Sequence, residues 1–142
     1  MTIKAINKFF SKYSDYSLIS LRIGVGFIFL VHGIGKLLAW GPFASGISRT
    51  SDFFAGLGIP LPMLAAWIVA LVETFGGLFL ILGFLTRPAA LLLSINMIIA
   101  LLTAHLPNGF YGGKSEFPFL LLMGAITLLL AGAGEKLKLD KD

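Results

Sequence analysis

Six ionisable residues sit in or beside stretches otherwise apolar enough to exclude them. Arg22, His32 and Lys36 lie within residues 18–39, Glu73 lies within a second apolar run, and His105 and Glu116 lie at the ends of two more. On insertion scales an ionisable group in a spanning helix costs roughly 2.5–3.5 kcal/mol, so each must face protein, water or the interface. Glu73 is the sharpest of the six. At ~1.5 Å per residue it falls about 16 Å from one end of its run, near the bilayer midplane. A carboxyl there must be paired, hydrogen-bonded or protonated. Two uses remain open: it binds a polar ligand group or relays protons, or it bonds His32, Lys36 or Arg22 and only locks helices together.

His32 and Lys36 are four residues apart and share a helix face. His32 either makes a packing hydrogen bond or exchanges protons with a bound head group near neutral pH. Arg22 and Lys36 are expected to snorkel to opposite interfaces, Arg87 to mark topology, and Asn96 to bond between helices. His32 and His105 on different runs raise the idea of a bis-histidine haem. The Pro107-Asn108-Gly109 turn beside His105 argues against it. A divalent metal held by His32, Glu73 and His105 is no stronger a signal, since no His-x-x-x-His spacing occurs, and no metal site is assigned. With no cysteine in the chain, disulfides, iron–sulfur clusters and thiol redox catalysis by its own residues are excluded. Gly33, Gly76 and Gly77, with Gly24, Gly26 and Gly35, read as positions of close helix approach. The phosphate-cradling pattern Gly-x-x-x-x-Gly-Lys-Ser/Thr is absent.

The elements that must position these groups are membrane spans. Of 142 residues, 57% are hydrophobic and only 13% charged, against about 25% charged in soluble domains; mean hydropathy is +0.93. The expected fold is an all-α membrane protein: a four-helix transmembrane bundle with a short amphipathic N-terminal helix. Spans are placed at 18–39, 63–84, 88–106 and 117–133, inside a transmembrane domain of 18–134. Residues 1–17 form an interfacial segment, with Lys4, Lys8 and Lys12 on one side and Ile3, Ile6, Phe10 and Tyr13 on the other. No small-residue cleavage site follows, so this segment is read as part of the mature chain. Residues 48–54 read as a short amphipathic helix, Pro88 as the first residue of the third span, and 135–142 as a charged cytoplasmic tail.

Four spans put both termini on one side. That side holds eight Lys and Arg (4, 8, 12, 22, 87, 136, 138 and 141), and the opposite side holds three (36, 49 and 114). The positive-inside rule then places both termini in the cytoplasm and the protein in the cytoplasmic (inner) membrane. The net charge of +4 reflects this topology, and no nucleic-acid motif accompanies it.

Several of these residues carry a resemblance. Arg22, Gly24, Gly26, Phe29 and His32-Gly33-x-x-Lys36 resemble the first span of the DoxX family. Glu73-x-x-Gly76-Gly77 with Gly83-x-x-Thr86-Arg87-x-Ala89 is similar to that family's second span and turn. Gly132-x-Gly134 with Leu139-Asp140 resembles its ending, although Glu135-Lys136-Leu137-Lys138 replaces the usual Arg-x-Ser segment. The resemblance spans about residues 18–140. It implies a four-helix integral membrane protein. Some members are linked to quinone-dependent sulfur oxidation, others to membrane assemblies that handle oxidative or thiol stress.

The expected function is a quinone-binding or redox-associated membrane subunit: it binds a lipid-soluble quinone, or a similar redox partner, for an oxidoreductase assembly with a partner protein. Glu73, His32 and Lys36 would line the site, with Arg22 in support and His105 and Glu116 as further candidates. The alternative is a non-enzymatic scaffold, or a small-solute transporter. Transport by so short a chain would call for a homo-oligomer.

Overall fold

Lipid cannot hydrogen-bond a peptide group, so long apolar runs fold as helices that satisfy their own backbone. A computed structural model describes residues 2–111 and 114–140, and those residues contain six α-helices and no strand. Met1, the loop glycines Gly112 and Gly113, and Lys141 and Asp142 at the end of the charged tail lie outside the described residues.

Helix α1 (Ile3–Ser11) buries none of its residues and leaves Ile3, Phe9 and Phe10 exposed. A 3₁₀ turn, Ser14–Tyr16, leads into α2 (Ser17–Leu38). Helix α3 (Gly46–Gly56) follows, then α4 (Pro62–Leu82), α5 (Thr86–Ala100) and α6 (Glu116–Ala131). Helix α2 packs on α4, α4 on α5, α5 on α6 and α6 on α2, which closes a four-helix ring; α3 lies against α4 and α2. The helical stretches 14–38, 62–82 and 86–108 are long and apolar enough to cross a membrane, while α6 is shorter. Its 16 residues rise about 24 Å.

The third span starts two residues earlier than expected. Thr86 opens α5, and Pro88 sits inside the first turn, where a missing N–H costs nothing. The span also does not end as a plain α-helix. Pro107 has no N–H to offer the carbonyl of Thr103. The chain widens into a π turn at Leu101–His105 and then tightens at Leu106–Asn108.

Large side chains such as Phe27, Trp67, Leu71, Phe75, Leu91 and Ile95 face outward, as a lipid solvent permits, and Ala66, Ala70 and Ala90 fill the inside. Glycines let α2 and α4 touch. A Cβ on Gly33 would strike the Thr74 backbone and hydroxyl, and one on Gly77 would strike Leu30 and Gly26. Gly76 instead faces Leu93 of α5. Gly24 departs from the close-approach expectation: it is exposed, and an added Cβ there would meet nothing.

Arg22 does not snorkel to water. It is 1% exposed, and its Nη1 and Nη2 donate to the carbonyls of Ala133 and Leu137, each at 2.6 Å. The tail thereby folds back onto the bundle. Leu139 and Asp140 donate to the Gly83 carbonyl at 3.0 and 2.8 Å. The Asp140 carboxylate accepts from the N–H groups of Leu85 (2.5 Å) and Thr86 (3.1 Å). A residue 54 positions away thus caps α5, whose first N–H groups have no intrahelical acceptor. Arg87 belongs to the same end, donating to the Leu129 carbonyl at 3.2 Å.

Candidate functional site

Lys36 lies near the end of α2, and the close approach of α2 to α4 brings it onto Glu73. The pair is a salt bridge through Oε2 of Glu73, and Lys36 therefore does not snorkel outward. Asn96 of α5 donates to the other carboxylate oxygen, Oε1, at 3.1 Å. Glu73 is 7% exposed. Of the partners left open for Glu73, the structure selects Lys36, and Asn96 makes the interhelical bond. One helix turn from Lys36, the His32 ring stacks on Phe43, with centroids 3.9 Å apart and planes 15° from parallel. Gly35 makes room for this stack, because any Cβ there would collide with the Phe43 carbonyl.

These groups stand at a cavity of about 670 Å³ between α2, α3, α4, α5 and α6. His32, Lys36, Glu73, Asn96 and His105 all line it. Phe29, Met97 and Leu121 add apolar surface, α3 contributes Arg49, Thr50, Phe53 and Phe54, and Ser45 just before it also lines the space. Thr50 is held in place by its bonds to the Gly46 carbonyl (2.7 Å) and the Ser45 hydroxyl (3.0 Å). Arg22 is elsewhere, clamping the tail, and Glu116 heads α6 outside the cavity lining. Among the described residues, no three His, Asp or Glu side chains gather as a metal site. His32 and His105 share the cavity wall.

The contributions of α3 and Phe43 had no counterpart among the sequence expectations. The only signal was the polar cluster Ser45, Ser48, Arg49, Thr50 and Ser51 between two spans, in a segment read as a plain amphipathic helix.

Chemically, the inner wall offers a paired ammonium, a carboxylate, a carboxamide and an imidazole to one space. Lys36 carries three N–H donors, and Glu73 takes one of them. The remaining walls are mostly apolar. The volume falls within the range of about 300–1,000 Å³ typical of small-molecule pockets.

Fold and cavity together define a small polytopic helix-bundle membrane protein with a ligand-sized internal space. The DoxX family profile matches residues 17–106, and the chain belongs to that family. It is 33% identical to "Putative oxidoreductase CatD" of Bacillus subtilis (strain 168), over 87% of this chain and 84% of that protein. It is 34% identical to "Uncharacterized membrane protein Rv3486" of Mycobacterium tuberculosis (strain ATCC 25618 / H37Rv), over 83% of this chain and 76% of that protein. The match to "Inner membrane protein YphA" of Escherichia coli (strain K12) is 39% identical over about half of each chain, 53% and 49%. No solved structure matches this chain.

Proposed function

We propose that this DoxX-family protein binds a lipid-soluble quinone in the bundle cavity and serves as the membrane subunit of an oxidoreductase assembly. The carrying observation is the cavity of about 670 Å³ with Lys36, Glu73 and Asn96 gathered on its wall. A quinone has an apolar body and two carbonyl oxygens that accept hydrogen bonds. Lys36 and Asn96 are the donors that would hold a carbonyl end. Glu73 is the group that can hold or give up a proton beside them. His32, fixed against Phe43, is a second proton carrier on the same wall. A bound quinone would supply two-electron, two-proton chemistry, which this chain's side chains cannot supply. The name of the Bacillus subtilis relative is consistent with such a role.

The positive-inside count supports the cytoplasmic membrane as the location, with both termini in the cytoplasm. An oxidoreductase partner would then supply or accept the electrons. The scaffold reading draws on one observation: both Glu73 oxygens already have protein partners.

The test is equilibrium binding of a short-tailed ubiquinone analogue to the detergent-purified protein. Lys36→Gln combined with Glu73→Gln removes both charges together, and Asn96→Leu removes a donor without touching the ion pair. A quinone site requires binding to the wild type and weaker binding to both variants. Absence of binding to a folded wild type supports the scaffold.

A further inference from the structure

The cavity wall and the lipid-facing surface share residues. Ile68 of α4 and Ile99 of α5 line the cavity, yet they are 52% and 49% exposed. Both helices span the membrane, and their neighbours Trp67, Leu71 and Ile95 also face outward. What lies outside Ile68 and Ile99 is therefore acyl chain rather than water.

Helices α4 and α5 meet tightly at one level and both border the cavity at another. Where Gly76 meets Leu93 the helices are in close contact, and a Cβ on Gly76 would come within 3.1 Å of the Leu93 side chain. Ile68 and Ile99 lie about 12 and 9 Å further along their helices, toward α3. At that level both side chains border open cavity. The π turn of Leu101–His105 begins two residues beyond Ile99, where the regular backbone ladder of α5 is already interrupted. The polar groups Lys36, Glu73 and Asn96 line the same cavity and are less exposed than Ile68 and Ile99.

We infer that the gap between α4 and α5 at Ile68 and Ile99 is a lateral portal to the bilayer, through which a tailed amphiphile inserts its head and in which its apolar tail remains. This rests on the quinone reading for the chemistry of the head. The portal itself selects for the tail. A ligand with an isoprenoid or alkyl chain gains contacts along the gap that a tailless ring does not.

The experiment compares a decyl-tailed and a tailless quinone of the same ring, bound to the full chain in liposomes. The variants are Ile68→Trp, Ile99→Trp and the double variant. Leu91→Trp on the outer face of α5 is the control. Trp is tolerated at lipid-facing positions, and the two single variants keep the test valid should the double variant fail to insert. The portal predicts that the wild type binds the tailed quinone more tightly. It also predicts that blocking the gap weakens tailed binding at least about tenfold. Tailless binding and the Leu91→Trp control should stay near wild type. Equal loss of both quinones, or unchanged tailed binding in the blocked variants, overturns the portal. A wild type that binds neither quinone overturns the quinone reading itself, and the portal for it falls too.

Discussion

Lys36 of α2 and Glu73 of α4 form an ion pair inside the bundle, and Asn96 of α5 donates to the carboxylate oxygen that Lys36 leaves free. Three spanning helices are thereby tied at one carboxyl. Removing one partner of a buried pair leaves the other charge uncompensated, at a cost of roughly 3–5 kcal/mol, whereas removing both is often near neutral. Lys36→Met alone and Glu73→Gln alone should each lower the thermal midpoint in detergent clearly. The combined Lys36→Met/Glu73→Gln protein should recover most of the loss. A double variant as unstable as the sum of the two singles would show that the pair does not interact as described.

The α2–α4 contact depends on absent side chains. Gly33→Ala drives a methyl into the Thr74 backbone, and Gly77→Ala drives one into Leu30 and Gly26. Each should cost about 1–3 kcal/mol of bundle stability by overpacking. Gly24→Ala meets no neighbour, and it should be neutral or stabilise by up to about 1 kcal/mol through helix propensity. Equilibrium unfolding in mixed micelles ranks the three. Equal effects at Gly24 and Gly33 would contradict the packing.

The tail cap has a pH signature. Desolvation alone would raise the Asp140 carboxyl, but the hydrogen bonds from Thr86 and Leu85 outweigh it, with help from the charge of Lys138, and hold it below the usual carboxylate range. A lowered carboxylate stabilises the fold above its unfolded value and loses that contribution as pH falls through its folded value. At pH 7 the wild type should therefore melt above Asp140→Asn, and the gap should shrink as pH drops below about 4. A gap independent of pH would mean that the charge of Asp140 plays no part in capping α5.

Topology can be read with single cysteines, because the chain has none of its own. In intact cells an impermeant thiol reagent should miss Ser14→Cys and Lys136→Cys and label Ser48→Cys. After permeabilisation all three should react. Labelling of Ser14→Cys in intact cells would reverse the proposed orientation.

How much of this was legible in the chain differs from residue to residue. An acid in the middle of a 20-residue apolar run identifies Glu73 without any structure, since only a partner or a ligand can keep it there. Its partner was not legible. Choosing Lys36 over His32 or Arg22 depends on helix rotation, which is set where Gly26, Gly33 and Gly77 pack, and hydropathy does not encode rotation. Arg22 looked like an interfacial anchor because nothing local shows that the carbonyls of Ala133 and Leu137 return to it from more than 100 positions away. The role of α3 was hidden for a related reason. Residues 48–54 read as a short amphipathic helix, and nothing in the sequence shows that Thr50 and Ser51 become buried where that helix lies against α4.

The most direct measurement is a mass-spectrometric survey of the small molecules that copurify with the detergent-extracted wild type, beside the Lys36→Gln/Glu73→Gln protein. A quinone site predicts a near-stoichiometric quinone in the wild type that is depleted in the variant. A folded wild type carrying only phospholipid would contradict it.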